Sequence, residues 1–426
     1  MIKIRQPIDV QEAVAKVMTY KRTAHFENVD IQMCDDRYLA EDIVATHAVP
    51  LFDKSPYDGF ALKAANTAGA SPDAPVTFQV VDHIGAGHLP QAALQCGQTT
   101  RIMTGAQIPE GADCVAMFEH CDSYEKNGHT YMTITRELSS GDNIVRRSSE
   151  MNEGDLLIRK GTRINPGVKA ILATFGYHQV KVATRPLVGV IATGTELLDV
   201  EERLEPGKIR NSNAYMVASQ IHRAGARYKY FGQLPDELEP SLTFISKALE
   251  EVDLLITTGG VSVGDYDLMP AIYERLGARV LFNKLAMRPG SVTTVAVKDE
   301  KILFGLSGNP SACYVGFELF TRPVIRHRLL SPTPFHKRVK ATLAEDYPKS
   351  NPFTRFVRSY IEYEDEGLTV HLAGIDKSNI VSSLPNTTCL MVLPGGTEGY
   401  QAGDKVDVLL LEDMTGQCEF ESNKEA

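Results

Sequence analysis

The sequence predicts a multidomain protein of α/β plus β class, on three observations. Between about residue 185 and 330, short apolar runs alternate with amphipathic segments of helical length. On either side, from about 48 to 152 and again from 331 to 426, short β-type runs are punctuated by Gly and Pro. The 426 residues also correspond to about three domains at roughly 150 residues each. Hydrophobic residues at 43% and charged residues at 23% match globular usage and exclude wholesale disorder or a fibrous chain. With 44 basic and 54 acidic residues, the formal net charge is −10. That balance speaks against non-specific binding to nucleic acid or to an anionic membrane surface.

The elements follow in order. Asp9 and Glu12 read as a capping box before a helix with Val10, Val14, Val17 and Met18 on one face. The whole of residues 1–47 is expected to be helical. Residues 48–152 (VTFQVV, YMTITREL) read as a small β-rich domain. In 153–184, Asn165 is the expected N-cap, Pro166 the first helical residue and Gly176 the stop. If 153–184 packs on 1–47, the β-rich stretch is an insertion into a split helical/β domain. From 185 to 330, the runs LVGVIA, YKYFG, DLLITT, RVLF, VTTVAV and ILFGL alternate with helices. They predict a mostly parallel sheet covered on both faces, a three-layer α/β domain. Residues 331–426 turn all-β, with period-two alternation in LTVHL and DKVDVLLLE and a turn at EDEG.

No run approaches the ~20 apolar residues that span a bilayer. The N-terminus has no continuous apolar core of a secretory signal, so a cytoplasmic setting is expected. The seven cysteines are scattered, with no C-x-x-C, which excludes a disulfide framework. Cys114, His120 and Cys121 come nearest to a metal cluster but lack a fourth ligand.

In an open α/β sheet, ligands bind beyond the carboxyl ends of the parallel strands. Polar and glycine-rich turns recur there. Thr193 to Glu196 follows LVGVIA, Asp236 follows YKYFG, and TTGGVSVGDYD, ending at Asp267, follows DLLI. Lys284 to Arg288 follows RVLF, and Ser307 to Ser311 follows ILFGL. Two of these, holding Gly259, Gly260 and Ser262 and then Ser307 and Asn309, lead into helices. Their exposed N–H groups are expected to cradle a phosphate or oxyanion. Neither is a Walker loop nor G-x-G-x-x-G. Glu196, Asp236 and Asp267 offer hard oxygen ligands for Mg²⁺. Lys284 and Arg288 offer positive charge to an anion. Together they read as metal-assisted chemistry at a phosphate.

Eight strings in order carry a family resemblance. They are Ser55 to Ala61 (SPYDGFA), Arg101 to Gly105 (RIMTG), Ile108 to Asp113 (IPEGAD) and Asn143 to Arg147 (NIVRR). They continue through Thr193 to Leu197 (TGTEL), Thr258 to Asp267 (TGGVSVGDYD), Lys284 to Gly290 (KLAMRPG) and Gly305 to Pro310 (GLSGNP). The chain resembles the molybdopterin molybdenumtransferase family, which also includes the C-terminal domain of gephyrin, from residue 1 to about 415. The resemblance implies a homodimer of four-domain subunits: a split dimerisation domain (1–47 and 153–184), an insertion (48–152), the molybdopterin-binding α/β domain (185–330) and a barrel-like C-terminal β domain (331–426). It implies Mg²⁺-dependent insertion of molybdate into adenylylated molybdopterin with release of AMP. The upstream adenylyltransferase and apo-molybdoenzymes are implied as transient partners.

By the same resemblance, Asp58, Thr104 and Arg147 reach into the neighbouring subunit's site. Glu196, Asp236, Asp267 and Lys284 match the main cleft, joined by Thr193 and the glycine turns. Asp58, Glu196, Asp236 and Asp267 are the expected catalytic carboxylates, and Arg358 and Ser378 are looser matches in the last domain. The chain departs from the family's bacterial pattern at Met151, where an aspartate is usual, and at Arg288, Ser291 and Ser307. Two other readings stand beside this one. One is an adenylyltransferase or nucleotide hydrolase on the same fold, whose Thr-Gly-Gly-Thr-Gly string differs from the Thr258 turn. The other is a non-catalytic scaffold, which would not need the acidic residues.

Overall fold

The computed structural model describes residues 6–22, 24–235, 237–260, 268–350, 352–365, 367–413 and 416–420. They divide into two compact units, one of 42–159 with 170–177 and the other comprising the rest of the chain.

At the centre of the larger unit is a six-stranded sheet. Its spatial order is Arg227–Gln233, Leu187–Ala192, Leu254–Thr258, Lys301–Leu306, Thr294–Lys298, Arg279–Phe282. Thr294–Lys298 runs antiparallel to both of its neighbours, and the remaining pairings are parallel. Side chains alternate across the sheet as a period of two requires. Val188, Val190, Leu254 and Ile256 face the helices Ser212–Ala224 and 310–328. Ile191, Leu255 and Leu303 face the helices Leu238–Glu251 and Met269–Arg275. Burial on both faces explains why these strands read as continuous apolar runs. The three-layer expectation holds.

Residues 1–47 are not wholly helical. The helix covers Val10–Met18 and buries Val10, Ala13, Val14 and Val17. Asp9 accepts from the Gln11 amide at 2.7 Å, and Glu12 pairs forward with Lys16 at 2.8 Å, so the capping box is not closed. Further on, Phe26–Asp30 is a strand paired antiparallel with Gln179–Ala183. Long-range pairing decides that segment, not local propensity. Isolated bridges from Tyr38 to Arg163 and from Leu39 to Val182 extend the contact between the two flanks of the insertion. Asn165 caps the Pro166–Thr174 helix by accepting from the Val168 amide at 2.9 Å.

In the same unit, the C-terminal strands close on themselves. Thr354–Glu364 pairs with both Gly367–Leu372 and Cys389–Leu393, while Lys405–Leu410 pairs with both Lys337–Leu343 and Cys389–Leu393. A parallel pairing of Lys337–Leu343 with Gly367–Leu372 completes the ring. Ala341, Leu343, Val357, Val370, Met391, Val406 and Val408 fill it. Closure leaves few unpaired edges.

The smaller unit holds a six-stranded sheet of its own, in the order Cys114–Met117, Gly59–Leu62, Gln98–Ile102, Val76–Ile84, His129–Ile134, Cys121–Lys126. Phe60, Leu62, Phe78, Met132 and Ile134 pack on one face, and Ala61, Ile84, Ile102 and Val115 on the other. Among the described residues, no helix is long and apolar enough to cross a membrane.

Candidate active site

The carboxyl ends of three adjacent strands bring the predicted turns into contact. Thr193 follows Leu187–Ala192, and its amide and Oγ1 each lie 3.1 Å from the Thr258 carbonyl to which they donate. Gly259 and Gly260 follow Leu254–Thr258 with φ of 99° and 63°, a region that disfavours side chains. A Cβ on Gly259 would stand 2.7 Å from Thr193 Oγ1. The Gly259 amide donates to the Leu306 carbonyl at 2.8 Å, and a Cβ on Gly308 would lie 3.6 Å from the Gly259 Cα. The three turns therefore form one continuous floor. Beside it the hydroxyls of Thr257 and Thr258 are buried without partners among the described residues.

Glu196 is exposed, and its carboxylate folds over Gly194, where a Cβ would meet its oxygens at 2.5 and 2.7 Å. Asp236, Ser262 and Asp267 lie outside the described residues. Among the described residues, no three His, Cys, Asp or Glu side chains group as a metal site would need. Burial pushes the Cys114 and Cys121 thiols up to about 12.

The Ser307–Ser311 turn differs from the open cradle expected. Ser307 Oγ accepts from the Asn309 amide at 3.2 Å, and the Ser311 amide donates to the Ser378 carbonyl at 3.0 Å. Asn309 Nδ2 reaches Ser378 Oγ at 3.4 Å. A segment of the C-terminal sheet thus occupies N–H groups that sequence alone leaves free. Lys284 and Arg288 are both exposed, joined by extended and irregular backbone. Neither has an ion pair among the described residues.

Comparison with known proteins supplies the frame. Three family models cover most of the chain: "MoeA N-terminal region (domain I and II)" over 8–176, "Probable molybdopterin binding domain" over 189–327, and "MoeA C-terminal region (domain IV)" over 340–411. A Bacillus subtilis protein named molybdopterin molybdenumtransferase is 53% identical over 416 residues, covering 98% of this chain and 97% of that protein. A Staphylococcus aureus protein of the same name is 46% identical over 420 residues, 99% of each chain. The chain belongs to the molybdopterin molybdenumtransferase family. It is an enzyme of molybdenum cofactor biosynthesis. The crystal structure of a Pyrococcus horikoshii molybdopterin biosynthesis MoeA protein matches with a TM-score of 0.84 at 28% identity, covering 96% of this chain and all of that one. A second molybdopterin biosynthesis MoeA structure from Pyrococcus horikoshii gives 0.78 at 26% identity, over 95% of this chain and all of that one.

The other residues singled out in the sequence lie in two places. In the smaller unit, Asp58 precedes the Gly59–Leu62 strand and is exposed. Its Oδ1 accepts from the Thr104 amide at 2.7 Å and the Thr104 hydroxyl at 2.8 Å. These two bonds, with the Arg101 charge, hold its pKa below the ordinary carboxylate value. Asp53 takes the Arg146 guanidinium at 2.7 Å and the Arg147 amide at 2.8 Å. The Arg147 guanidinium is left without an ion pair among the described residues. Met151 makes a backbone bridge to Val49, a role that needs no particular side chain.

In the C-terminal sheet, Arg358 is 2% exposed. It faces its own loop, donating to Ser383 Oγ at 2.9 Å and to the Ile375 and Lys377 carbonyls at 3.1 and 3.2 Å. One residue at the strand ends is not singled out by the sequence: Asn213 donates to the Gly308 carbonyl at 2.8 Å, and its buried Oδ1 has no partner among the described residues. Its signal was the Asn211-Ser-Asn213 run at a helix start.

Proposed function

We propose that this chain inserts molybdate into adenylylated molybdopterin and releases AMP, with Mg²⁺ required. Two dithiol sulfurs replace two oxygen ligands of molybdate, which take the two thiol protons and two more from solvent and leave as two waters, and one water hydrolyses the phosphoanhydride to give the pterin phosphate and AMP. The observation that supports this most is the convergence of Thr193, Gly259, Gly260 and Gly308 at one sheet edge, where α/β proteins bind ligands. Their bare backbone lets a ligand approach closely. Glu196 is a hard oxygen donor suited to Mg²⁺ and would hold it together with Asp236 and Asp267. Mg²⁺ supplies charge neutralisation at the phosphoanhydride oxygens. Lys284 and Arg288 attract the molybdate dianion, which an acidic protein must meet with local positive charge. Ser307 and Asn309 line the edge near the substrate's phosphate, and Arg358 acts on Ser378 through the loop it braces.

The active unit in this reading is a homodimer of four-domain subunits, in the cytoplasm. Asp58, Thr104 and Arg147 serve the site of the other subunit. The decisive assay measures AMP release from the adenylylated pterin together with molybdenum incorporation. Net synthesis of the adenylylated pterin from ATP in the absence of molybdate would instead favour an adenylyltransferase. Shared sites have their own test. Asp58→Ala and Asp267→Ala homodimers are each expected to be nearly inactive. Co-refolded in equal amounts, about half the dimers are mixed and about a quarter of all sites carry neither lesion. AMP release near a quarter of wild type supports sharing. A verified heterodimer no more active than its parents overturns it.

A further inference from the structure

The segment 374–387, between the strands Gly367–Leu372 and Cys389–Leu393, reaches the Ser307–Ser311 turn and has no helix or strand of its own. Side chains hold it. Arg358 binds the backbone on either side of Asp376, at the carbonyls of Ile375 and Lys377. Asp376 turns inward, its side chain 8% exposed. Its carboxylate accepts from the Tyr347 hydroxyl. It also faces Lys349 Nζ at 3.3 Å, Arg355 Nη1 at 3.5 Å and Arg358 Nη1 at 3.9 Å. Among the described residues, Asp376 is the acidic partner of both Arg355 and Arg358. Two residues further on, Ser378 meets Asn309 and Ser311, and the Ile380 carbonyl accepts from Ser311 Oγ at 2.5 Å.

We propose that Asp376 is a positioning residue for the reaction, which rests on reading the strand-end edge as the substrate site. It anchors the segment to the barrel wall so that Ser378 sits on the turn after Lys301–Leu306. The physical argument is local. Without the carboxylate, two largely buried guanidinium groups lose their counter-charge. The barrel's strand ladders do not depend on Asp376, whereas the stretch 374–378 is tied to the barrel through the side chains of Asp376, Arg358 and Lys349 and already exposes Ile375 (61%). Relief therefore comes from the segment lifting and admitting water, a sub-global opening. Lifting removes Ser378 from Asn309. Tyr347 supports the anchor as a permanent donor, since burial and then the Asp376 bond push its phenol up.

The test uses full-length Asp376→Asn, Asp376→Glu and Tyr347→Phe. Two readouts are taken: hydrogen exchange at the Ser311 amide, which donates to the Ser378 carbonyl, and KM against kcat for AMP release. In Asp376→Asn, Ser311 is expected to exchange faster, and kcat/KM to fall on the order of 10-fold, mostly through KM. Asp376→Glu restores the charge and is expected to recover much of both. Tyr347→Phe removes one bond without stranding a charge, so it shifts both readouts the same way by less and serves if the Asn variant does not fold. Unchanged Ser311 exchange, or a lower melting temperature with KM unmoved, overturns the proposal. A wild-type protein that releases no AMP refutes the proposed function instead. Ser311 exchange then still decides whether Asp376 positions the segment.

Discussion

Two carboxylates, Glu318 in the larger unit and Asp58 in the smaller, are held ionised by opposite means. Glu318 lies in a π-helical turn, Phe317–Thr321, and is 1% exposed. Burial alone would raise its pKa, but the His336 hydrogen bond at 2.8 Å and the Arg223 charge bring it down to about 2. Gln220 donates to it at 2.6 Å, so both of its oxygens have donors. Asp58 is exposed, and both of its bonds from Thr104 fall on Oδ1. Its Oδ2 meets no donor among the described residues. A carboxylate enclosed on all sides has no oxygen left to offer a ligand. One that is pinned by a single oxygen presents the other to a ligand.

That contrast breaks most visibly at Glu318. Glu318→Gln leaves Arg322, 5% exposed, without its acidic neighbour. The expected loss is roughly 3–5 kcal/mol, read as a lower urea midpoint for the transition of the larger unit. The pH sign follows from the depressed value. With a folded pKa of about 2 against an ordinary 4.5, ionised Glu318 contributes stability above about pH 4.5, lost as pH falls through about 2. The Gln variant flattens that part of the acid profile. A variant as stable as wild type would make the enclosed carboxylate dispensable.

Asp58→Asn tests the other side. AMP release is expected to fall about 10²-fold, the scale of one lost electrostatic stabiliser, while the melting temperature stays put. Lower melting with near-normal turnover would place Asp58 with Glu318 as a fold residue.

The same contrast explains what the sequence discloses. LVGVIA, DLLITT and ILFGL are legible as strands because burial on both faces leaves a continuous apolar run. Thr193, Gly259 and Gly308 are legible as one shared edge because parallel strands align their ends. Phe26–Asp30 is not legible, since its partner is Gln179–Ala183, about 150 residues away. Nor is the Ser378 carbonyl on the Ser311 amide, or Asp376 among Tyr347, Arg355 and Arg358. Those contacts join distant segments, and no local pattern encodes them. Asp58 is found from its motif, but its pinning through Oδ1 alone appears only in three dimensions.

Lys284→Ala sharpens the comparison from the cationic side. Lys284 is exposed and unpaired among the described residues, so its removal is not expected to cost stability. Molybdate binding is expected to weaken several-fold and to become less sensitive to salt, because less attraction remains to be screened. Titrations at two ionic strengths measure both. An unchanged titration would reduce this lysine to a surface charge.

The smallest expected effect has the most informative sign. The Thr104 amide is the largest cause of the low Asp58 pKa, and the Thr104 hydroxyl is the second. Thr104→Val keeps the amide and the shape of the side chain but deletes the hydroxyl bond at 2.8 Å. The Asp58 pKa then rises towards its ordinary 3.8, and Asp58 stays ionised at pH 7. Turnover at neutral pH is therefore little changed by this route. If ionised Asp58 serves the reaction, the acid limb of kcat/KM moves to higher pH in the valine variant, and Thr104→Ser, which restores a hydroxyl, moves it back. The carboxyl titration of Asp58, followed by NMR, must move in step with the limb. A limb that stays fixed while the titration moves assigns the limb to another acid, and leaves the free oxygen of Asp58 without a part in the chemistry.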